Sequence, residues 1–341
     1  MINYIAKPID LILFGSPSPF NSTEQTYRSS DFILNPIPFY GAMRKYNKNI
    51  SFDYISLIKR EDFLFPLPFD IVEVKGKYSQ GKLKKISIKE LISDSLDDYQ
   101  IIFDEGKFKR HFDKYIPSYH LEEYLCGKED REIRPITPFE TEKRIGIKIN
   151  REKKTTEEGY LYFEDFVRLE KGVSFYIKTD GDLQNKILKI GGEARMVMIE
   201  KFNKDIDAEF VNQDRIKKTI KETGLFKLIL LTPTNAPCNI QGAKMISKIT
   251  GRPYVYSGWL RKKNRSFPSK LFRLIRPGAV FYYRIEDKNR DDFVKGLFNR
   301  FWLKPGFFKP DFPYFENKEG INPLCLGLTI IGTVKESTIR K

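Results

Sequence analysis

The sequence predicts an α+β fold in two halves, and three observations predict it. Short alternating apolar segments dominate the 341 residues, the period of half-buried strands. A few stretches with three- and four-residue apolar spacing interrupt them in each half, which suits strands and helices packed as sandwiches. A polar segment near 130–142 marks the boundary, giving an N-terminal domain over 1–135, with an insertion at about 60–130, and a C-terminal domain over 136–341. Roughly 150 residues per domain gives the same count of two.

Taken in order, Ile9–Phe14 is expected as a strand and 15–35 as a long polar loop holding Pro17 and Pro19. Pro36–Lys48 reads as a helix, its prolines at the start and Phe39, Met43 and Tyr46 spaced by four and three. Phe52–Ile58 and Phe69–Val74 read as strands, and Tyr119–Cys126 as a short helix stopped by Gly127. Arg144–Asn150 and Gly159–Asp165 form the arms of a hairpin with a polar tip over 151–158. Val173–Thr179, Lys186–Ile190 and Arg195–Phe202 follow as strands. Val211–Thr223 is the best helix, with Ile216 and Ile220 on one side and Gly224 as its stop. Leu225–Leu231 and Ala279–Ile285 are strands, Asp291–Trp302 a helix, and Leu324–Val334 a closing strand.

Charge narrows the function. The formal net charge is +15, and most of it is concentrated. From Thr223 to Ile285, 63 residues contain no acid, against about 8 expected from the chain average, and hold 12 Lys and Arg. Removing carboxylates is what a polyphosphate-binding surface requires, because each would repel a phosphate. A solvated basic face or a protein-binding patch is the alternative. Phosphate loops of the G-x-x-x-x-G-K-[ST] and G-x-G-x-x-G kinds are missing, as are C-x-x-C and H-E-x-x-H. No cofactor, metal or catalytic residue is therefore expected. His111 and His120 are the two histidines, conceivable as acid–base partners in phosphodiester cleavage and otherwise ordinary. Cys126, Cys238 and Cys325 are widely separated and odd in number, which argues against a disulfide framework and for the cytoplasm. No apolar run reaches the ~20 residues of a membrane helix.

Four segments suit RNA. Tyr40, Gly41, Arg44 and Lys45 lie on the 36–48 helix, where an aromatic followed a turn later by a cation can stack a base and meet a phosphate. An amphipathic core helix with its cations in water fits equally well. Arg144 and Lys148 share one face of the hairpin's first arm, with Ile145, Ile147 and Ile149 on the other, and the tip carries Thr155 and Thr156. Gly191, Gly192 and Arg195 could bring backbone N–H groups and a forked cation to a ligand. Trp259, Arg261, Lys262, Lys263, Lys270 and Arg273 make the densest basic stretch, interleaved with aromatics.

The order of these motifs (P-x-P-F-Y-G-A-x-R, R-I-G-I-x-I-x-R, E-G-x-L-Y, G-G-E-A-R, P-G-A-V-F-Y-Y, then G-L-x-I-I-G) resembles the RAMP superfamily of CRISPR proteins. Within it the chain looks like the type III-B (Cmr) subunit that caps the guide RNA. The resemblance is thin between Lys59 and Glu132, and the long C-terminal glycine-rich loop of many RAMP proteins is missing. It implies two ferredoxin-like, RRM-like domains packed together with a projecting β-hairpin. It also implies a non-catalytic grip on the 5′ handle of crRNA, docking to the large polymerase/nuclease-like subunit and the backbone RAMP subunit, and no obligate homo-oligomer. Two relatives of that reading remain open: a metal-independent crRNA-processing endoribonuclease using His111 or His120, and the equivalent capping subunit of a type III-A complex. A basic protein-interaction scaffold is the reading without RNA.

Overall fold

The computed structural model describes residues 1–14, 27–28, 32–85, 99–103, 106–128, 132–150, 152–153, 155–193, 195–236, 238–262, 265–307, 324–334 and 339–340. Side chains at 27–28, 147–148, 156–162, 259–262, 265–268 and 339–340 are not described. Lys263 and most of the expected 15–35 loop lie outside the described residues, as do the side chains of Lys148, Thr156, Trp259, Arg261 and Lys262.

In chain order the first half runs β1 (Ile2–Pro8), β2 (Tyr27–Arg28), α1 (Ile37–Met43), β3 (Phe52–Lys59), β4 (Asp62–Pro66), β5 (Ile71–Val74), β6 (Lys77–Gln80), β7 (Lys82–Lys85), β8 (Tyr99–Ile102), β9 (Tyr115–Pro117) and α2 (Ser118–Leu125). The long hairpin β10 (Phe139–Asn150) and β11 (Thr155–Leu169) follows, then β12 (Val173–Thr179), β13 (Ile187–Lys189) and β14 (Met196–Lys201). The second half holds α3 (Gln213–Thr223), β15 (Leu225–Leu230), β16 (Ala243–Ile249), β17 (Tyr254–Tyr256), β18 (Trp259–Lys262), β19 (Arg265–Pro268), β20 (Phe272–Leu274), β21 (Val280–Ile285), α4 (Arg290–Phe301), β22 (Lys304–Pro305), β23 (Leu328–Thr333) and β24 (Ile339–Arg340). Strands dominate and helices are few, as the α+β expectation has it. No helix among the described residues is long and apolar enough to cross a membrane.

Two antiparallel sheets organise the chain. The first has the order β13-β14-β1-β12-β3-β4-β9, the second β16-β21-β15-β23-β22. Within the first, β1, β3, β12 and β14 are the four successive strands of a ferredoxin-like unit, and in space they stand fourth, first, third, second. The strands β15, β16, β21 and β23 repeat that order in the second sheet. Each unit carries one crossover helix: α1 between β1 and β3, α4 between β21 and β23. In the second, α3 packs beside α4 and β15. Strands on both sides of residue 135 lie in one sheet, since β1 pairs with β12 and β14. The hairpin is thus inserted within the first sheet's connectivity, and residues 130–142 lead into its first arm.

Several elements follow directly from sequence. Asn212, Ile216 and Ile220 lie one turn apart, both isoleucines are fully buried, and Gly224 ends α3 at φ +68, the left-handed stop a glycine tolerates. The first helix is shorter than expected: Arg44 is its C-cap, and Lys45 and Lys48 lie beyond it. The expected Ile9–Phe14 strand is instead an extended segment in which Ile12 exchanges backbone hydrogen bonds with Val167 at 2.9 and 2.8 Å; the strand itself lies earlier, at β1. Between β16 and β21, the β17/β20 and β18/β19 pairs form two short ribbons the sequence did not predict.

One buried cluster runs through both sheets, from Tyr4 to Val334. Buried polar groups join the halves as well. The Asp70 carboxylate, fully buried, accepts from Tyr124 Oη at 2.8 Å, Tyr282 Oη at 2.6 Å and Gln80 Nε2 at 3.0 Å. Lys227 of β15 sits over the Tyr124 ring, 3.3 Å from its centroid. Buried polar groups are tolerated when each finds a partner, and here partners come from both sheets.

Candidate nucleic-acid interface

Beneath the hairpin three arginines meet around one ring. Phe166 of β11 is buried with Leu11 and Leu13 in a small apolar cluster. The Arg195 guanidinium lies 4.7 Å from its ring centroid and that of Arg144 5.6 Å. Such stacking is worth roughly 0.5–2 kcal/mol per contact and leaves the outer edges of the forks facing solvent. Arg195 Nη1 donates to Asp10 at 2.7 Å. Glu142 accepts from Arg144 Nε at 3.0 Å and from Arg168 Nη2 at 2.6 Å. The Leu11 N–H, then the Arg195, Arg144 and Arg168 charges, hold the Asp10 carboxyl below its ordinary value. Three fixed guanidiniums against two carboxylates leave a positive, preorganised surface.

The hairpin that carries this cluster is long, 12 and 15 residues in its arms, with a bulge between Ile147 and Ile149. Its strands run further than expected at the base, so Arg168 joins the site although sequence reading ended the return arm at Asp165. Arg144 is exposed, and so are Ile145 at 65% and Ile149 at 56%. Alternation therefore does not bury the isoleucine face: beyond its root the hairpin projects. Thr155 opens the return strand and is exposed.

The Gly191-Gly192 loop is filled by protein. Gly191 has φ +68, and a Cβ there would lie 2.3 Å from the Leu13 carbonyl oxygen. Gly192 N–H donates to that oxygen at 2.9 Å. The glycines admit the 9–14 segment, and this closure is what carries Arg195 to Asp10 and Phe166. On the neighbouring edge α1 packs on β13. Tyr40 is buried, Arg44 is exposed with its guanidinium 5.7 Å from the Tyr40 ring, and Gly41 and Lys45 are exposed. Burial pushes the Tyr40 hydroxyl above its ordinary value, against the nearby Arg44 charge. Tyr40 thus underlies Arg44 rather than presenting a free ring.

The acid-free window divides. Lys227 and Arg276 are buried within it, whereas Lys244, Lys248, Arg252, Lys270, Arg273 and Arg284 are exposed. Arg284 is anchored to Tyr99 Oη at 2.7 Å. Neither histidine joins the arginine cluster. His111 is buried, with Nε2 2.6 Å from Glu73, and His120 Nδ1 is 3.9 Å from Glu123. Among the described residues no group of three or more His, Cys, Asp or Glu could hold a metal ion. The sequence reading missed Asp10, Glu142, Phe166 and Arg168; the dense arginines around R-I-G-I were the available signal for the last.

Comparison with known proteins follows this geometry. The model of the family described as CRISPR-associated protein (Cas_Cmr3) matches residues 55–297. No curated protein matches the chain. Among solved structures, a chain of "Cryo-EM structure of the Type III-B Cmr-beta bound to cognate target RNA" superimposes with a TM-score of 0.51 at 17% identity, over 86% of this chain and 89% of that one. The same complex with cognate target RNA and AMPPnP gives 0.51 and 17%, over 86% and 88%. A chain of the "Csm3-Csm4 subcomplex in the type III-A CRISPR-Cas interference complex" gives 0.33 and 13%, over 82% and 92%. The type III-B likenesses show a shared fold, and the family match spans both sheets and the hairpin between them, so the chain belongs to the CRISPR-associated Cas_Cmr3 family.

Proposed function

We propose that this chain is the non-catalytic RNA-binding subunit of a type III-B CRISPR effector, gripping the 5′ handle of crRNA in the cytoplasm and docking the large subunit and the adjacent backbone RAMP subunit. The observation that carries this is the convergence of Arg144, Arg168 and Arg195 on Phe166 at the root of a projecting hairpin. Fixed guanidinium forks meet phosphates bidentately, and the hairpin beyond them offers an exposed arm along which a single strand can run. The exposed lysines and arginines of the acid-free window extend the positive surface, adding salt-dependent affinity through counterion release.

The test is equilibrium binding of end-labelled guide RNA, with an intact or a scrambled 5′ handle, over a salt series without divalent metal. Handle preference, a steep salt slope and uncut RNA are expected. The double variant R144Q/R168Q should weaken binding on the order of tenfold and flatten the slope by about two, near 0.9 per lost phosphate contact. Equal weak binding of both RNAs by the wild-type protein defeats the proposal. One observation favours a second reading: His111 pairs with Glu73 beside Lys109, Arg110 and Arg252, a set able to move protons in phosphodiester cleavage. Metal-independent cutting of precursor RNA that disappears in His111→Ala would select that endoribonuclease.

A further inference from the structure

A second positive site lies away from the arginine cluster, and none of its residues belongs to the motifs that order the family resemblance. It is a cavity of about 420 Å³ lined by Phe32, Lys109, Arg110, His111, Phe112, Asp113, Phe139, Thr141 and Arg252. This volume falls in the ~300–1,000 Å³ range of small-ligand sites. Its walls come from three distant parts of the chain: the 109–113 segment, the root of β10, and Arg252 from the acid-free window. Gly251 has φ +64, and a Cβ there would lie 2.9 Å from the Phe112 ring, so the glycine lets Arg252 reach this position. The guanidiniums of Arg252 and of buried Arg276 each lie 5.6 Å from the Phe112 centroid.

The cavity's charge is unbalanced. Lys109, Arg110 and Arg252 face one carboxylate of the lining, Asp113, while His111 is engaged by Glu73 at 2.6 Å and stands 3.8 Å from Asp113. Arg110 is the informative group. Its Nε is buried and finds no hydrogen-bond partner among the described residues, a state that costs free energy unless a ligand completes it. Burial also lowers its affinity for the proton, against the pull of Asp70. Opposite the cations, Phe32 and Phe139 form an apolar wall, their rings 4.4 Å apart.

The geometry points to a nucleotide-binding subsite here: the phosphate held by Arg110, Arg252 and Lys109, the base against the Phe32–Phe139 wall. A cationic side facing an aromatic side matches the two ends of a nucleotide. The source is either a nucleotide of the bound RNA strand or a free nucleoside monophosphate. Thr141 and Arg144 lie three residues apart on β10, about 10 Å at ~3.3 Å per residue, so one strand of RNA reaches both sites. Only the RNA source rests on the function proposed above.

The experiment uses the full chain and the double variant K109Q/R252Q, whose side chains are exposed, with K218Q on α3 as a control. Thermal melts verify folding. Handle-bearing RNA is titrated by fluorescence anisotropy and AMP by calorimetry. If wild-type protein binds the RNA, K109Q/R252Q should lose on the order of tenfold in affinity and about two units of salt slope, with K218Q unchanged. Unchanged RNA affinity in the folded double variant, together with no saturable AMP binding to wild type, overturns the subsite. If wild-type protein does not bind the RNA but binds AMP, and the double variant loses it, the subsite stands as a free-nucleotide site while the crRNA function fails.

Discussion

Lys178 shows how single residues set the pH range of the fold. It is buried in β12, and its ammonium donates to Asp205 at 2.9 Å and to Asp207. Burial opposes its charge, but these two hydrogen bonds win and hold its pKa above the ordinary value. Asp205 also loses hydration, yet the Asp207 N–H and Lys178 keep its carboxyl below the ordinary value. A depressed carboxylate contributes stability that is complete above the unfolded pKa of ~3.9 and disappears as pH falls through the folded one. A raised lysine contributes until pH climbs past its own folded value. Lys178→Met should therefore lower the melting temperature at neutral pH, and the gap to wild type should close below about pH 4. A gap that stays constant from pH 7 to pH 3 would show that the loss is packing alone. Arg195 gives the complementary lesson about site residues. Its motif was readable, but its partners Asp10 and Phe166 lie 185 and 29 positions away, and no local pattern encodes such a meeting.

Among elements, those with complete local signals matched closely. The strand Val173–Thr179 has the bounds its alternation gives, and α3 ends at the glycine that marks its stop. Missed elements have physical reasons. In β16 Lys244, Ser247 and Lys248 break an apolar alternation because it is an edge strand with an irregular register beside Met245, where polar side chains are tolerated. The polar stretch near 130–142 reads as a boundary because polarity accompanies exposed chain; here it leads to the hairpin, while the first sheet continues beyond it. The hairpin divides the same way. Its root is anchored by buried Phe139, Phe166 and Val167, whereas Ile145 and Ile149 are exposed. Replacing 145–162 with a two-residue Asn-Gly turn should move the melting temperature by no more than about 3 °C. The same change should weaken guide-RNA binding on the order of tenfold. A collapse in stability would mean that the projecting part packs on the body; retained affinity would remove the arm from the RNA path.

For the whole molecule the question is whether two ferredoxin-like units behave as one. Two-domain chains often unfold in separate steps, and the repeated strand order would permit it. The interior argues otherwise. One apolar cluster spans both sheets, and the Asp70 carboxylate is shared by Tyr124 from the first half and Tyr282 from the second. Phe69 N–H also donates to the Gly278 carbonyl at 2.8 Å, and Thr333 Oγ1 to the Leu125 carbonyl at 2.9 Å. Opening one half would strand the polar groups of the other, so denaturant unfolding should show a single transition reported alike by far-UV circular dichroism and tryptophan fluorescence. Asp70→Ala leaves two buried hydroxyls without their acceptor and should cost on the order of 3–5 kcal/mol, displacing that one transition as a unit. Tyr282→Phe removes a single donor and should cost about 1 kcal/mol. Two resolved transitions, of which Asp70→Ala moves only one, would show that the halves are stable apart, and that RNA bound across the Arg252 cavity must itself hold them in register.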